Sequence, residues 1–178
     1  MTTEIKTSLT DLEYISYIDA NGQLPEGLQS QVGVYAIFDS DRVLQFVGYS
    51  RDVVLSLKQH LVRQPEKCQW LKVQTISRPS RTILESIKEA WIAENGSIPP
   101  GNATATTQWT EPIDAKLAMT ADEQISYQAS DELTQIKLLK SVARRVEATI
   151  ISNLESRGIR VAIRFNPKLK EKGILDLT

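Results

Sequence analysis

Two alternating apolar segments joined by an acidic turn, "VGVYAIFDSDRVLQFVG" from Val32 to Gly48, constrain this chain more than any other stretch. Val32, Val34, Ala36 and Phe38 alternate with Gly33, Tyr35 and Ile37, the period-two pattern of a strand covered on both faces. Asp39, Ser40 and Asp41 carry side chains that bond nearby backbone amides and so favour a turn, after which "RVLQFV" makes a second strand. Antiparallel pairing of Phe38 with Val43 sets Tyr35 opposite Phe46, two rings side by side on one face.

A helix should follow at once. Ser50 and Asp52 are N-cap candidates, Val53, Val54, Leu57 and Leu61 recur at helical spacing, and Asp52, Ser56, His60 and Arg63 form the opposite stripe until Pro65. "CQWLKVQTIS" predicts a third strand. A second helix is expected over "RTILESIKEAWIAEN", with Ile83, Leu84, Ile87 and Trp91 as its apolar stripe, Thr82 and Glu85 as a capping box, and Asn95-Gly96 as its stop. "GSIPPGN" then reads as an ordered turn. The expected fold class is α+β: a small three-stranded antiparallel sheet flanked by helices, extended at the C-terminus by a long helix and a strand.

Length and composition agree with a globular chain, since 178 residues at 41% hydrophobic suffice for a core with an appended element. No apolar run approaches the roughly 20 residues that cross a bilayer, and "MTTEIKTSLTDLEYIS" lacks a basic segment followed by an apolar one, so no membrane partner and a cytoplasmic location are expected. The single cysteine, Cys68, excludes an internal disulfide and a multi-cysteine zinc site and reads as a small semi-buried hydrophobe.

Charge divides unevenly along the chain. Residues 1–133 carry 11 Lys and Arg against 18 Asp and Glu, whereas residues 134–178 carry 10 against 4. In that basic quarter Leu133, Ile136, Leu139, Ala143, Val146, Ile150 and Leu154 mark one long amphipathic helix ending before Gly158, with Lys137, Lys140 and Arg144 on its outer face. "IRVAIRF" alternates Ile159, Val161, Ile163 and Phe165 with Arg160, Ala162 and Arg164, predicting a strand with one basic face. Two explanations stand open: Lys137, Lys140, Arg144, Arg160 and Arg164 contact the phosphates of DNA or RNA, or the tract packs on the acidic remainder. The domain organisation read here is a lead-in over 1–31, a domain over 32–102, a connection over 103–132 and a basic extension over 133–178.

The order strand, strand, helix, strand, helix, with "GVY" on the first strand and "FVG" on the second, resembles the GIY-YIG nuclease superfamily over Val32 to Asn102. The resemblance implies hydrolysis of a phosphodiester with one divalent ion, magnesium or manganese, held by a glutamate. Position by position it assigns catalysis to Tyr35, His60 and Glu89, with Glu89 as the metal ligand, and a cleft lined by Phe46, Gly48, Tyr49, Ser56 and Asn102. It also shows departures. Phe46 replaces a second tyrosine, Tyr49 replaces a lysine, and Ser56 stands where the family carries a phosphate-binding arginine that a neutral hydroxyl cannot imitate. Arg51, Lys58, Arg63 and Arg81 are the cations near enough in sequence to substitute.

Each of these residues also has an ordinary structural role: Tyr35 as a cross-strand partner, His60 as a half-buried helix residue, Glu89 as part of a charged face with Glu85 and Lys88. The row Asp52, Ser56, His60 on one helix lacks the converging geometry of a hydrolase triad. Three functions are therefore expected in order: a nucleic-acid-binding module with weakened or lost cleavage, an active divergent endonuclease, and a non-enzymatic interaction or structural unit. The oligomeric state is left open.

Overall fold

In the structure, a computed structural model that describes residues 7–178, four strands form one antiparallel sheet: β1 (Ile15–Ser16), β2 (Val32–Phe38), β3 (Leu44–Ser50) and β4 (Trp70–Ile76), in the order β1-β4-β2-β3. Residues 1–6, where the 1–31 lead-in and the leader-free reading begin, lie outside the described residues. The three strands expected from periodicity are β2, β3 and β4. The sheet has a fourth, not three in all, because β1 is two residues long and too short to carry a period; it exists by pairing Ile15 with Leu71 and Ser16 with Trp70.

The hairpin register differs from the expected one. Tyr35 lies opposite Gly48, Ile37 opposite Phe46 and Phe38 opposite Leu44, with an irregularity between Ile37 and Phe38. Asp39 begins the difference: its amide donates to the Val43 carbonyl and its carboxylate accepts from the amides of Asp41 and Val43, so the turn closes on Asp39 and Val43, one step from the expected pairing, and the irregularity between Ile37 and Phe38 adds the second. A slip of two residues leaves every side chain on its intended face. Tyr35 and Phe46 are thus diagonal neighbours on one face, their centroids 6.2 Å apart, instead of a directly opposed pair.

The helices cover the two faces of this sheet. Helix α1 (Val53–Arg63) starts at Asp52, whose side chain accepts from the Leu55 amide. Helix α2 (Arg81–Asn95) starts at Ser80, which accepts from the Ile83 amide, so the cap lies two residues before the expected Thr82–Glu85 box; Gly96, at φ 84°, closes it. Val34, Ala36 and Phe38 pack in one cluster with Leu84, Ile87 and Trp91 of α2. On the alternate face Leu57, His60 and Leu61 of α1 are buried. Full burial of each such apolar side chain contributes about 1.5–3 kcal/mol, so α1 and α2 are held chiefly by this two-sided burial and little by their own propensity.

Beyond α2 the chain makes a 3-10 turn (Pro100–Asn102) and a short helix α3 (Thr106–Thr110). The first compact unit extends through Thr110, beyond the boundary at residue 102 that the sequence suggests, because α3 carries the fully buried Trp109.

The second unit, Glu111–Thr178, holds β5 (Ile113–Asp114), a 3-10 turn (Ala115–Ala118), α4 (Ala121–Ala129), α5 (Glu132–Ser156), α6 (Pro167–Lys170) and β6 (Ile174–Leu175), with β5 and β6 antiparallel. Helix α5 is the long helix of the basic tract, capped by Asp131 and ended at Gly158 in the left-handed region (φ 73°). Its buried side is Leu139, Val142, Ala143, Ile150 and Leu154, while Leu133 stays 62% exposed. Residues 159–165 do not form the expected strand. Ile159 and Phe165 are buried and the arginines between them exposed, as alternation requires, yet the segment meets only an isolated bridge from Phe165 to Leu177. A period-two pattern fixes which side chains go inward; it does not supply a neighbouring strand. Among the described residues no helix is long and apolar enough to cross a membrane.

Candidate functional site

The side chains singled out around the two triplets do gather, and a glycine is what lets them. A Cβ on Gly48 would stand 2.8 Å from Tyr35 Oη and 2.6 Å from Phe46 Cε1, so only glycine leaves room for the two rings above β3. Tyr35 Oη lies 2.8 Å from Nε2 of His60, which α1 presents from the helix side. Burial holds the Tyr35 phenol well above its ordinary value, with the Ser56 hydroxyl and Arg63 pulling it back. Burial likewise lowers the His60 imidazole to about 3, Arg63 adding to the effect and the Trp109 backbone opposing it. Both groups are neutral at pH 7, so the pair is a proton-sharing contact between an uncharged phenol and an uncharged imidazole.

An aromatic wall backs this pair. Phe46 stacks on Trp109 with centroids 5.3 Å apart and planes 1° from parallel, and His60 sits against both at 4.6 and 5.6 Å. Asn102 fixes the far rim, its side-chain oxygen accepting from the Val47 amide and its side-chain amide donating to the Val47 carbonyl, both at 2.8 Å. Gly101 permits that approach, since a Cβ there would be 2.6 Å from the Gln45 carbonyl oxygen.

Together these groups bound a cleft of about 380 Å³ that lies astride β3, lined from the α1 side by Tyr35, Ser56, Gln59, His60 and Arg63 and from the α2 side by Tyr49 and Lys88. Phe46, Gly48 and Asn102 line it as well. Of the four cations weighed as substitutes, Arg63 reaches the cleft, its Nη1 donating to the Trp109 carbonyl at 3.2 Å. Arg51 and Arg81 line a separate cavity with Tyr49 and Leu84. Lys88 is the second cleft cation, its Nζ 5.8 Å from the Tyr49 ring centroid.

Glu89 does not join Tyr35 and His60. It is exposed and lies outside the cleft lining, because one residue of helix is a rotation of about 100°, and α2 turns Lys88 inward instead. The lining contains no carboxylate, and among the described residues no three His, Cys, Asp or Glu side chains stand together as ligands. A magnesium or manganese ion, which wants anionic oxygen, does not fit a cleft whose charged members are an arginine and a lysine. Glu89, assigned as the metal ligand, stands outside this cleft.

The five basic residues assigned to phosphate contact lie in the second unit. Lys140 pairs with Glu171 at 3.4 Å, whereas Lys137, Arg144, Arg160 and Arg164 are exposed. Two functional elements were missed. Lys88 lines the cleft and the buried Trp109 supports Phe46 and His60 from behind; the signal for Trp109 was a lone large aromatic in an otherwise polar run, "ATATTQWTEP", since a tryptophan buries far more area than its neighbours.

No family model matches the chain. One similar protein is the bifunctional monothiol glutaredoxin-S16 of Arabidopsis thaliana, named as chloroplastic, 33% identical over 108 residues. The match takes in 58% of this chain and 35% of the relative, so the chain spans about a third of that protein's length. The relative is named for thiol redox chemistry, and this corrects the resemblance drawn from the sequence: membership of the GIY-YIG superfamily, the nucleic-acid-binding module and the divergent endonuclease are set aside. The cleft is consistent with that correction, having a serine at the arginine position and no metal-binding carboxylate.

Proposed function

We propose that the first unit is a binding domain whose cleft takes the anionic group of a small molecule without cleaving it. The observation that carries this reading is the pair Arg63 and Lys88, on two different helices, lining one cleft that holds no carboxylate. Tyr49 and Gln59 supply neutral polar groups beside them, and Phe46 adds an apolar edge to the lining. Hydrogen bonds to a charged partner contribute about 1.5–3 kcal/mol each, so removal of either cation should weaken binding about ten- to a hundredfold.

The test is calorimetric titration of the full chain with inorganic phosphate at low salt, against Arg63→Gln and Lys88→Gln. Binding that both substitutions weaken supports the reading. Phosphate binding unchanged in both, or absent in the parent protein, refutes it. A DNA or RNA oligonucleotide that binds where phosphate does not would also refute a small-molecule cleft.

The relative's name suggests a second reading, thiol redox chemistry. In this chain it would fall to Cys68, the sole cysteine, and would require a reachable sulfur of lowered pKa. Cys68 has no exposed surface, and its Sγ donates to the His60 carbonyl at 3.5 Å. The cleft therefore ranks ahead of the thiol. Incubation with oxidised glutathione followed by mass measurement decides between them, since a thiol site would take up one glutathione in the native protein.

A further inference from the structure

Lys72 raises a question that the cleft does not answer. It pairs with Ala36 on β2 and so points to the apolar, α2-facing side of the sheet, where it is only 6% exposed. Burying an ammonium group is costly unless its charge is met. Its Nζ donates to the Leu9 carbonyl at 2.9 Å and sits 4.2 Å from the Tyr14 ring centroid, and burial lowers its pKa. No carboxylate forms an ion pair with it among the described residues.

A second cation lies against the same ring. Arg42 occupies the left-handed region at φ 61°, a conformation a non-glycine residue adopts at some cost, and its guanidinium lies 4.5 Å from the Tyr14 centroid and 4.7 Å from that of Trp70. It too has no ion-pair partner among the described residues. Both line one open cavity of about 350 Å³, together with Tyr14, Val43, Leu44 and Glu94. Val43 is 54% exposed there, an apolar surface beside two cations that share one carboxylate, Glu94. Glu94 is already engaged, accepting from the Ser8 hydroxyl and the Thr10 amide, and its charge opposes a dianion.

We infer that this cavity is a binding site for a small monocarboxylate with an apolar stem, its carboxylate held by Lys72 and Arg42 and its stem laid on Val43 and Leu44. With Glu94 set against Lys72 and Arg42, the cavity keeps an excess of one positive charge, which a single carboxylate meets and a dianion exceeds. The site is independent of the cleft astride β3, since it shares none of that cleft's lining residues.

The test is nuclear magnetic resonance titration of the full chain with butyrate, following the side-chain nitrogen of Lys72. Saturable shifts are expected, with the Lys72 pKa rising on binding, because a nearby anion favours the charged ammonium. Lys72→Met keeps the buried stem and should weaken binding at least tenfold; should it fail to fold, Arg42→Ala removes an exposed cation and should weaken binding as well. Inorganic phosphate should not compete. No saturable shift in the parent protein, undiminished binding in the folded variants, or equal competition by phosphate would overturn the assignment.

Discussion

Tyr35 and Gly48 face each other across the β2–β3 hairpin, and the phenol ring occupies the space into which any side chain at position 48 would project. Gly48→Ala must therefore push Tyr35 or Phe46 aside. Overpacking of this kind costs about 1–3 kcal/mol, read as a lowered denaturant midpoint with an unchanged slope. The cost should shrink when Gly48→Ala is combined with Tyr35→Leu, because the clash is between that pair; additive losses would show that the strain lies elsewhere.

Acid should destabilise the first unit through His60. Its folded value is about 3 against about 6.5 in the unfolded chain, so between those limits the unfolded state binds the extra proton. The stability it contributes is complete above about pH 6.5 and falls by at most about 1.4 kcal/mol per pH unit as pH drops toward 3. His60→Gln should flatten this part of the curve in denaturation series run across that range, while lowering stability overall through the lost contact to Tyr35.

At the alkaline end the sign reverses. Tyr35 is raised in the fold, so the unfolded chain gives up its phenolic proton first, and stability present below about pH 10 declines above it. Tyr35→Phe should remove this component; an alkaline midpoint unaffected by the substitution would exclude Tyr35 as its source.

Cys68 should be inert in the native protein and react only on unfolding, given its complete burial. Labelling with a thiol reagent is expected to follow the unfolding transition measured by circular dichroism. Rapid modification without denaturant would revive a redox role for this sulfur.

Asn102→Ala removes both contacts to the Val47 backbone and leaves a peptide group wanting partners, a loss of about 1–3 kcal/mol. Asn102→Asp keeps an acceptor for the Val47 amide but sets a carboxylate against the Val47 carbonyl. It should be no better than alanine in thermal melts.

Local patterns were readable wherever one segment's own chemistry decided the outcome. Strands β2 to β4, both flanking helices and α5 declare themselves by period, and even the capping box of α4, in which Thr120 and Glu123 satisfy each other, is visible as "TADE" although the connection over 103–132 was assigned no element. What failed was longer in range or finer in angle. The register turned on where Asp39 closes the loop, and alternation cannot count that. Glu89 and Lys88 are adjacent letters, and only the rotation of α2 against the sheet decides which one enters the cleft. The resemblance to a nuclease rested on element order, two small triplets and single matched letters, and the triplets describe a ring seated on a glycine as readily as a catalytic tyrosine.

Asn102 has one more consequence, for how this protein behaves among copies of itself. Strand β3 is the last in its sheet, and at Val47 it would present an amide and a carbonyl ready to accept a neighbouring chain. The Asn102 side chain is a primary amide, chemically a peptide group without a backbone, and it meets both groups at the distances a further strand would use. Gly101 brings the 3-10 turn against the neighbouring Gln45 carbonyl. The molecule carries its own chain terminator there, one that occupies the backbone groups a neighbouring strand would need at Val47.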